Sequence, residues 1–403
     1  MSRETESAAG AGVPRLARAP PPSETGRVRT ATATAAAVTT TLLGAGAAAV
    51  AAGRYAADAA LRPRPGHPLP GEPSLVVHSA EGGRIALTRS AASLRPGTYG
   101  LHAPGVHAVV GPVLPGAAQT PDTVVRRLLA VTHGRLDPGT RVHFTAQVHA
   151  GDPHGALGLD HADVDVPGEL GGLPAWFVPA VRDTWVITVH GLGTTREHPM
   201  VVMPFLHRYQ LPVLDLAYRG DLGAPESPDG LGHLGESEWR DVDAALRYAL
   251  RFGARRIVLY GWSTGATMAL RAVERSAVAD SVCALVLDSP VLDRRTTFRN
   301  LAAARGTPAP VLPLAVLAAE SRAGLRADHR APAADPDVLQ VPVLLLHGPE
   351  DTLAPWGPSR ALAAARPDIV TLHTVRDASH GAMWNADPDG YEEVLRRFLT
   401  PHM

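Results

Sequence analysis

The 403-residue chain contains no lysine, so every basic side chain other than histidine is arginine. Together with 39 glycines and 37 prolines, this reads as the codon bias of a GC-rich genome. Alanine-rich and arginine-rich stretches are therefore discounted as ligand signals. Cysteine is nearly absent. Cys283 stands alone in the apolar run VCALVLDSP, cannot form an internal disulfide, and reads as a small strand residue. Excess charge is missing too: 38 arginines face 39 acids, for a net charge of −1 and a pI near 7.0. That balance removes the electrostatic footprint of a nucleic-acid binder. A strong hydrophobic run is also lacking. The one uncharged stretch of membrane-spanning length, Thr30 to Gly53, has only Val38, Leu42, Leu43 and Val50 as strongly apolar residues.

The length allows about two globular units with extensions. Residues 1–29 are polar and rich in proline, serine and arginine, without apolar periodicity, and are expected to be disordered. Residues 30–53 are expected to form a single N-terminal transmembrane helix that places the rest of the chain outside the cytoplasm. Arg15, Arg18, Arg27 and Arg29 precede the helix, and Arg54, Arg62 and Arg64 follow it. A cleaved signal, with small-residue sites at Ala47, Ala49, Ala51 and Ala52, and an uninserted cytosolic tail are the alternatives. Residues 54–73, with the run RPRPGHPLPGEP, read as an extended linker.

From residue 74 to 167, short apolar runs alternate with glycine, proline and aspartate. This predicts a small β-rich module, with one helix from Pro121 to Val131 after the capping residue Thr120. Its histidines, His102, His107, His133, His143, His149, His154 and His161, lack a short ligand spacing backed by a partner set, so no metal is expected. From residue 168 to 403 the rhythm changes. WVITVHG, PVLDLAYRG, RIVLYGWS, CALVLDSP, VPVLLLHG and VTLHTV read as buried strands, with helices at Glu238 to Phe252 and Ala266 to Ser276 between them. This alternation predicts an α/β domain with a mostly parallel sheet covered on both faces. An insertion over about 291–340, with a helical centre from Val311 to Leu325, sits where it would cover the strand tops as a lid.

Three groups carry chemistry. Gly261-Trp262-Ser263-Thr264-Gly265 follows the strand RIVLY and opens a helix, the strand–turn–helix context of a G-x-S-x-G nucleophile. Serine alone is a poor nucleophile; it needs a base within reach and donors for the developing oxyanion. The loop His190-Gly191-Leu192-Gly193 ends the strand WVITV and can aim backbone N–H groups at the site. Leu192 and Thr264 are the expected oxyanion donors, with Gly193 as a one-residue alternative and His190 shaping the loop. Asp351, in LLLHGPEDTLAP, and His380, in DASHGAMW, follow later strands. His380 is the expected base and Asp351 the acid that orients it. Asp288, at the end of CALVLD, is the competing acid; Glu350 and the rival histidine His347 are less well placed.

On these residues, together with Tyr218-Arg219-Gly220 after a strand, the stretch from Gly168 to His402 resembles the α/β-hydrolase superfamily. It looks like the bacterial serine hydrolases that carry a lid between the sixth and seventh strands. The resemblance implies an eight-stranded, mainly parallel sheet, no cofactor, and cleavage of an ester, thioester or amide of a small-molecule acyl substrate, with a carboxylic ester the leading choice. Dehalogenases of the superfamily place an aspartate at the elbow, and Ser263 argues against that branch. A peptidase is the alternative within the enzyme class, although Glu320 is the only acid in the central lid helix and offers little as an amine anchor. A non-catalytic binding module on the same fold is the alternative outside it. Oligomeric state is not legible from the sequence.

Overall fold

The computed structural model describes residues 47–116, 120–322 and 335–403. Contacts divide the chain into residues 1–50 and 51–403. Of the first unit only residues 47–50 are described, and they are helical. The tail over 1–29 and the candidate span from 30 to 46 lie outside the described residues. Among the described residues no helix is long and apolar enough to cross a membrane.

The second unit opens with helix α1 (51–61), whose residues 54–61 fall where an extended linker was expected. Gly53, Ala57, Ala60 and Leu61 are its buried residues, at the i, i+4, i+7, i+8 spacing of one helical face. The proline-rich part after residue 62 masks this alanine-rich helix in a composition reading. A Cβ on Gly53 would lie 2.7 Å from the Leu314 Cβ, so this last residue of the candidate span is part of the folded domain.

Six strands then close a barrel: β1 (Leu75–Glu81), β2 (Arg84–Thr88), β3 (Tyr99–Ala103), β4 (Val106–Val113), β5 (Thr123–His133) and β6 (Arg141–Thr145). Their order is β1-β2-β5-β4-β3-β6, and each neighbouring pair is antiparallel. Closure leaves no unpaired edge. The helix expected from Pro121 to Val131 is instead β5. Val124 and Arg126 are buried in alternation with more exposed neighbours, and this period of two, paired on both sides, overrides the local helical pattern.

Inside the barrel the Arg126 side chain is fully buried, without a carboxylate partner among the described residues. Its guanidinium donates to the carbonyls of Gly111 (2.8 Å), Ser93 (3.0 Å), Arg95 (2.6 Å) and Gly97 (2.9 Å), pinning the 93–97 loop across one end. Burial lowers its pKa to about 10, so it stays a cation at neutral pH. Arg126→Leu should strand these carbonyls and cost about 3 kcal/mol or more of stability. Urea unfolding would measure it; an unchanged midpoint would mean the carbonyls find other donors.

The remaining strands form one eight-stranded sheet in the order β14-β13-β12-β11-β9-β10-β8-β7. They are β7 (Ala162–Pro167), β8 (Gly172–Val178), β9 (Thr184–Val189), β10 (Val213–Leu216), β11 (Arg256–Trp262), β12 (Val282–Asp288), β13 (Val343–His347) and β14 (Val370–Thr374). β8 runs antiparallel to its neighbours and all other pairs are parallel. The sheet is that of an α/β-hydrolase, as the resemblance implies. One boundary moves: the barrel ends at Thr145, the short helix α2 (Pro153–Leu157) follows, and β7, read from sequence as part of the β-rich module, is an edge strand of the large sheet. Its alternation ADVDVP looks the same in either setting.

Helices cover both faces. α4 (Trp239–Arg251), α5 (Thr264–Arg275) and α8 (Trp356–Ala365) bury one face around Ile187, Leu259, Leu285 and Leu345. α3 (Met203–Arg208), α9 (Met383–Ala386) and α10 (Pro388–Leu399) bury the other around Val186, Tyr260, Val286 and Leu344. The side chains of the strands alternate between the two cores, which is why these strands read as continuous apolar runs. Between β12 and β13 the expected lid contains α6 (Arg294–Ala304) and α7 (Leu312–Arg322), which share a small core with α1 through Phe298, Ala315, Val316, Ala57 and Leu61. Residues 323–334 of the lid lie outside the described residues.

Candidate active site

The site lies at the carboxyl ends of the strands. Ser263, between β11 and α5, has φ 54° and ψ −116°, a backbone conformation that costs a non-glycine residue energy and turns the chain sharply from strand into helix. Gly265 is required by approach: a Cβ there would come within 2.2 Å of the Val189 carbonyl oxygen. The same holds for Gly191, whose Cβ would meet the Ser263 Cβ at 2.5 Å. The two segments therefore approach this closely only because positions 191 and 265 carry no side chain.

His380 reaches the serine from the loop after β14. Its Nε2 lies 2.6 Å from the Ser263 Oγ, and its Nδ1 lies 2.7 Å from the Asp351 Oδ2. The other oxygen, Asp351 Oδ1, accepts from the Leu353 and Ala354 amides at 2.9 Å each. Burial works to raise the pKa of Asp351, but the charge of His380 and hydrogen bonds from His347 and His380 outweigh it, and the carboxyl is held well below its ordinary range. His347 meets the same carboxylate oxygen: its Nε2 is 3.1 Å from Asp351 Oδ2 and its Nδ1 2.8 Å from the Ser359 Oγ. The sequence offered His347 as a rival base; its position makes it a second support for the carboxylate.

Asp288, the competing acid, has other partners. The Ser289 hydroxyl donates to one oxygen (2.7 Å) and the Tyr391 hydroxyl to the other (3.1 Å). The Ser289 Oγ in turn accepts from the Gly381 amide (3.0 Å), so Asp288 braces the loop that carries His380 without touching the imidazole. Burial pushes its pKa up to about 7.

Leu192 lies in the 191–194 turn, closed by the Thr194 amide donating to the Gly191 carbonyl (3.4 Å), and Thr264 lies in the first turn of α5, where amides have no intrahelical acceptor. His190 is fully buried behind the turn, with Nε2 2.7 Å from Asp221 Oδ2 and its ring stacked on Tyr218 at 4.6 Å. Asp221 also accepts from the Tyr218 amide (2.8 Å). Burial opposes protonation of His190, but Asp221 dominates and its pKa is raised. The imidazole thus anchors the turn and is turned away from the serine.

Asp215, on β10, is a second buried acid. Thr188 donates to one oxygen (2.8 Å), and the other has no partner among the described residues. Burial pushes its pKa up to about 8. A raised folded-state pKa gives stability that is full below about pH 4 and is lost as pH rises through the folded value. The thermal midpoint should therefore fall between about pH 4 and pH 8 and level off above that, and fall less in Asp215→Asn. An equally steep fall in that variant would assign the loss to another group.

The barrel histidines acquire a relation that the sequence did not reveal. Strand register places His143, His102, His107 and His133 as successive cross-strand neighbours. Even so, no group among the described residues is arranged to hold a metal ion. Sequence reasoning also missed the barrel's share in the site. A cavity at Ser263 and His380 is lined by Tyr99 and Phe144 of the barrel and by Trp262 and His198. No sequence signal marked Tyr99 or Phe144, because their approach to Ser263 depends on how the barrel docks.

Residues 76–145, essentially the barrel, match the family model of a domain of unknown function, DUF8805. No curated protein matches the chain significantly. Among solved structures, an esterase from Pyrococcus furiosus is similar over 63% of this chain and 95% of its own, with 22% identity and a TM-score of 0.52. A second crystal form of that esterase gives 20% identity and a TM-score of 0.50 over 62% of this chain and 94% of its own. At this identity the likeness is one of fold: an α/β-hydrolase sheet, here preceded by a six-stranded antiparallel barrel.

Proposed function

We propose that the chain is a serine hydrolase that cleaves a carboxylic ester through an acyl-enzyme. The observation that carries this reading is the unbroken hydrogen-bonded series from Ser263 Oγ through His380 to Asp351, at 2.6 Å and 2.7 Å, on a serine held at φ 54°. His380 Nε2 takes the Ser263 proton as Oγ attacks the ester carbonyl, and Asp351 fixes the tautomer and stabilises the imidazolium. The amides of Leu192 and Thr264 receive the oxyanion. His380 then protonates the departing alcohol, and water repeats the sequence on the acyl-enzyme. The peptidase reading gains no support from the lid, since Glu320 is buried with Arg295 3.4 Å away and offers no free carboxylate to an amine. Covalent labelling of the full chain by a fluorophosphonate, with p-nitrophenyl esters and aminoacyl p-nitroanilides assayed side by side, tests this. No labelling would sink the hydrolase reading, and faster anilide than ester turnover would favour a peptidase.

For localisation, we propose a membrane anchor upstream of Gly53 with the catalytic domain outside the cytoplasm, supported by the uncharged run from Thr30 and the arginines before it. Membrane fractionation with protease treatment of intact spheroplasts checks it. Full-length protein that remains soluble and protected would overturn the anchor.

A further inference from the structure

The barrel has no chemistry of its own in the reading above, yet it forms a wall of the reactive cavity. Its docking explains which part of a substrate it meets. α9 begins three residues after His380, and Asn385 on it donates to the carbonyls of Thr98 (2.9 Å) and Ala146 (3.0 Å) and accepts from the Thr98 amide (2.8 Å). Ala382 packs into the barrel core. The barrel is thus fastened to the segment that carries the imidazole. In ester cleavage the departing oxygen must take its proton from His380 Nε2, so the alcohol portion lies on the imidazole side of the tetrahedral carbon, opposite the oxyanion donors. The barrel is tied to that same imidazole-bearing segment, and Tyr99 and Phe144 border the cavity together with His380.

The wall has a definite chemistry. Phe144 meets Tyr99 edge-on at 5.3 Å between ring centroids, and Trp262 and His198 face each other at 5.3 Å. These four aromatic side chains border the cavity. Three of them hold a buried polar atom without a hydrogen-bond partner among the described residues: Tyr99 Oη, Trp262 Nε1 and His198 Nδ1. Buried polar atoms are normally paired, and these three belong to side chains that border one cavity. Burial pushes the Tyr99 hydroxyl up to about 12, where it remains a donor, and brings His198 down to about 3, where it is neutral. The charged pair at the rim compensates itself, Arg95 Nη1 donating to both Glu72 oxygens at 2.9 and 3.0 Å.

We infer that the barrel edge formed by Tyr99 and Phe144 is the leaving-group subsite, built for an uncharged alcohol with a ring-sized apolar body and a hydrogen-bonding substituent. The inference rests on the ester-hydrolase reading of Ser263. Its test uses methyl, phenyl and 4-hydroxyphenyl acetate with the full chain. All three pass through one acetyl-enzyme, so a wall that touches only the alcohol alters kcat/KM between esters while the hydrolysis of that shared intermediate serves as the reference step. Comparing each variant with the parent cancels the intrinsic reactivity of the esters. Phe144→Ala should lower the phenyl-to-methyl ratio of kcat/KM by about tenfold, and the milder Phe144→Leu by less. Tyr99→Phe should lower the 4-hydroxyphenyl-to-phenyl ratio about threefold or more, the size of one neutral hydrogen bond. Ratios that stay at the parent's values in Phe144→Leu and Tyr99→Phe overturn the subsite, and altered acetyl-enzyme hydrolysis with unchanged ratios moves the wall to the acyl side. Failure of the parent chain to be labelled by a fluorophosphonate would remove the underlying reading instead.

Discussion

Replacing Ser263 by alanine should abolish fluorophosphonate labelling and lower ester turnover by about 10³-fold or more, while the chain stays folded. The size follows from chemistry: without Oγ there is no acyl-enzyme, and the oxyanion donors and cavity can only assist direct attack by water. The fold should survive because the lost contact is a single bond to His380, although Ser263 is itself buried, at 2% exposure. Alanine must still adopt φ 54°, so the strain of the elbow is common to both chains. Thermal unfolding and single-turnover kinetics check the two halves separately. An alanine variant that keeps more than about a hundredth of the rate would mean that another group is the nucleophile.

The second large effect separates the two acids. Asp351→Asn should reduce kcat by about 10⁴-fold, because an amide can present its NH2 group to His380 Nδ1 and favour the tautomer that cannot take the serine proton. His347 and the Leu353 and Ala354 amides would hold the new side chain in place, so the loss should appear in kcat with little change in folding. Asp288→Asn should cost far less. Burial already favours the protonated form of Asp288, so a neutral amide of the same shape keeps much of its bonding to Ser289 and Tyr391. A severe loss for Asp288→Asn with a mild one for Asp351→Asn would exchange their roles.

What was legible in the sequence was local or strongly patterned. The buried strands announced themselves as apolar runs because a sheet covered on both faces leaves no polar alternation. The elbow was legible because glycines at 261 and 265, a preceding strand and a following helix all lie within a short stretch of chain. Asp351 and His380 could be nominated from strand order. Chain order favoured Asp351 over Asp288, but its contact with the imidazole is set by loop geometry, since Asp288 also stands at the end of a buried strand.

The sequence by itself determined the α/β alternation from β9 onward, the lid's place between β12 and β13, and the residue types at the site. Each depends on periodicity or on neighbours a few positions apart. The tertiary structure alone decided three other features. Residues 123–133 became a strand because barrel closure pairs them on both sides, against a local pattern that also suits a helix. Residues 51–61 became a docked helix because α6 and α7 provide a surface for Ala57 and Leu61. Tyr99 and Phe144 came to border the cavity at Ser263 because Asn385 ties the barrel to the segment after His380, a contact spanning 287 positions to Thr98 and 239 to Ala146. Contacts at such separations are set by the packing of whole units, and no short-range pattern of residues encodes them.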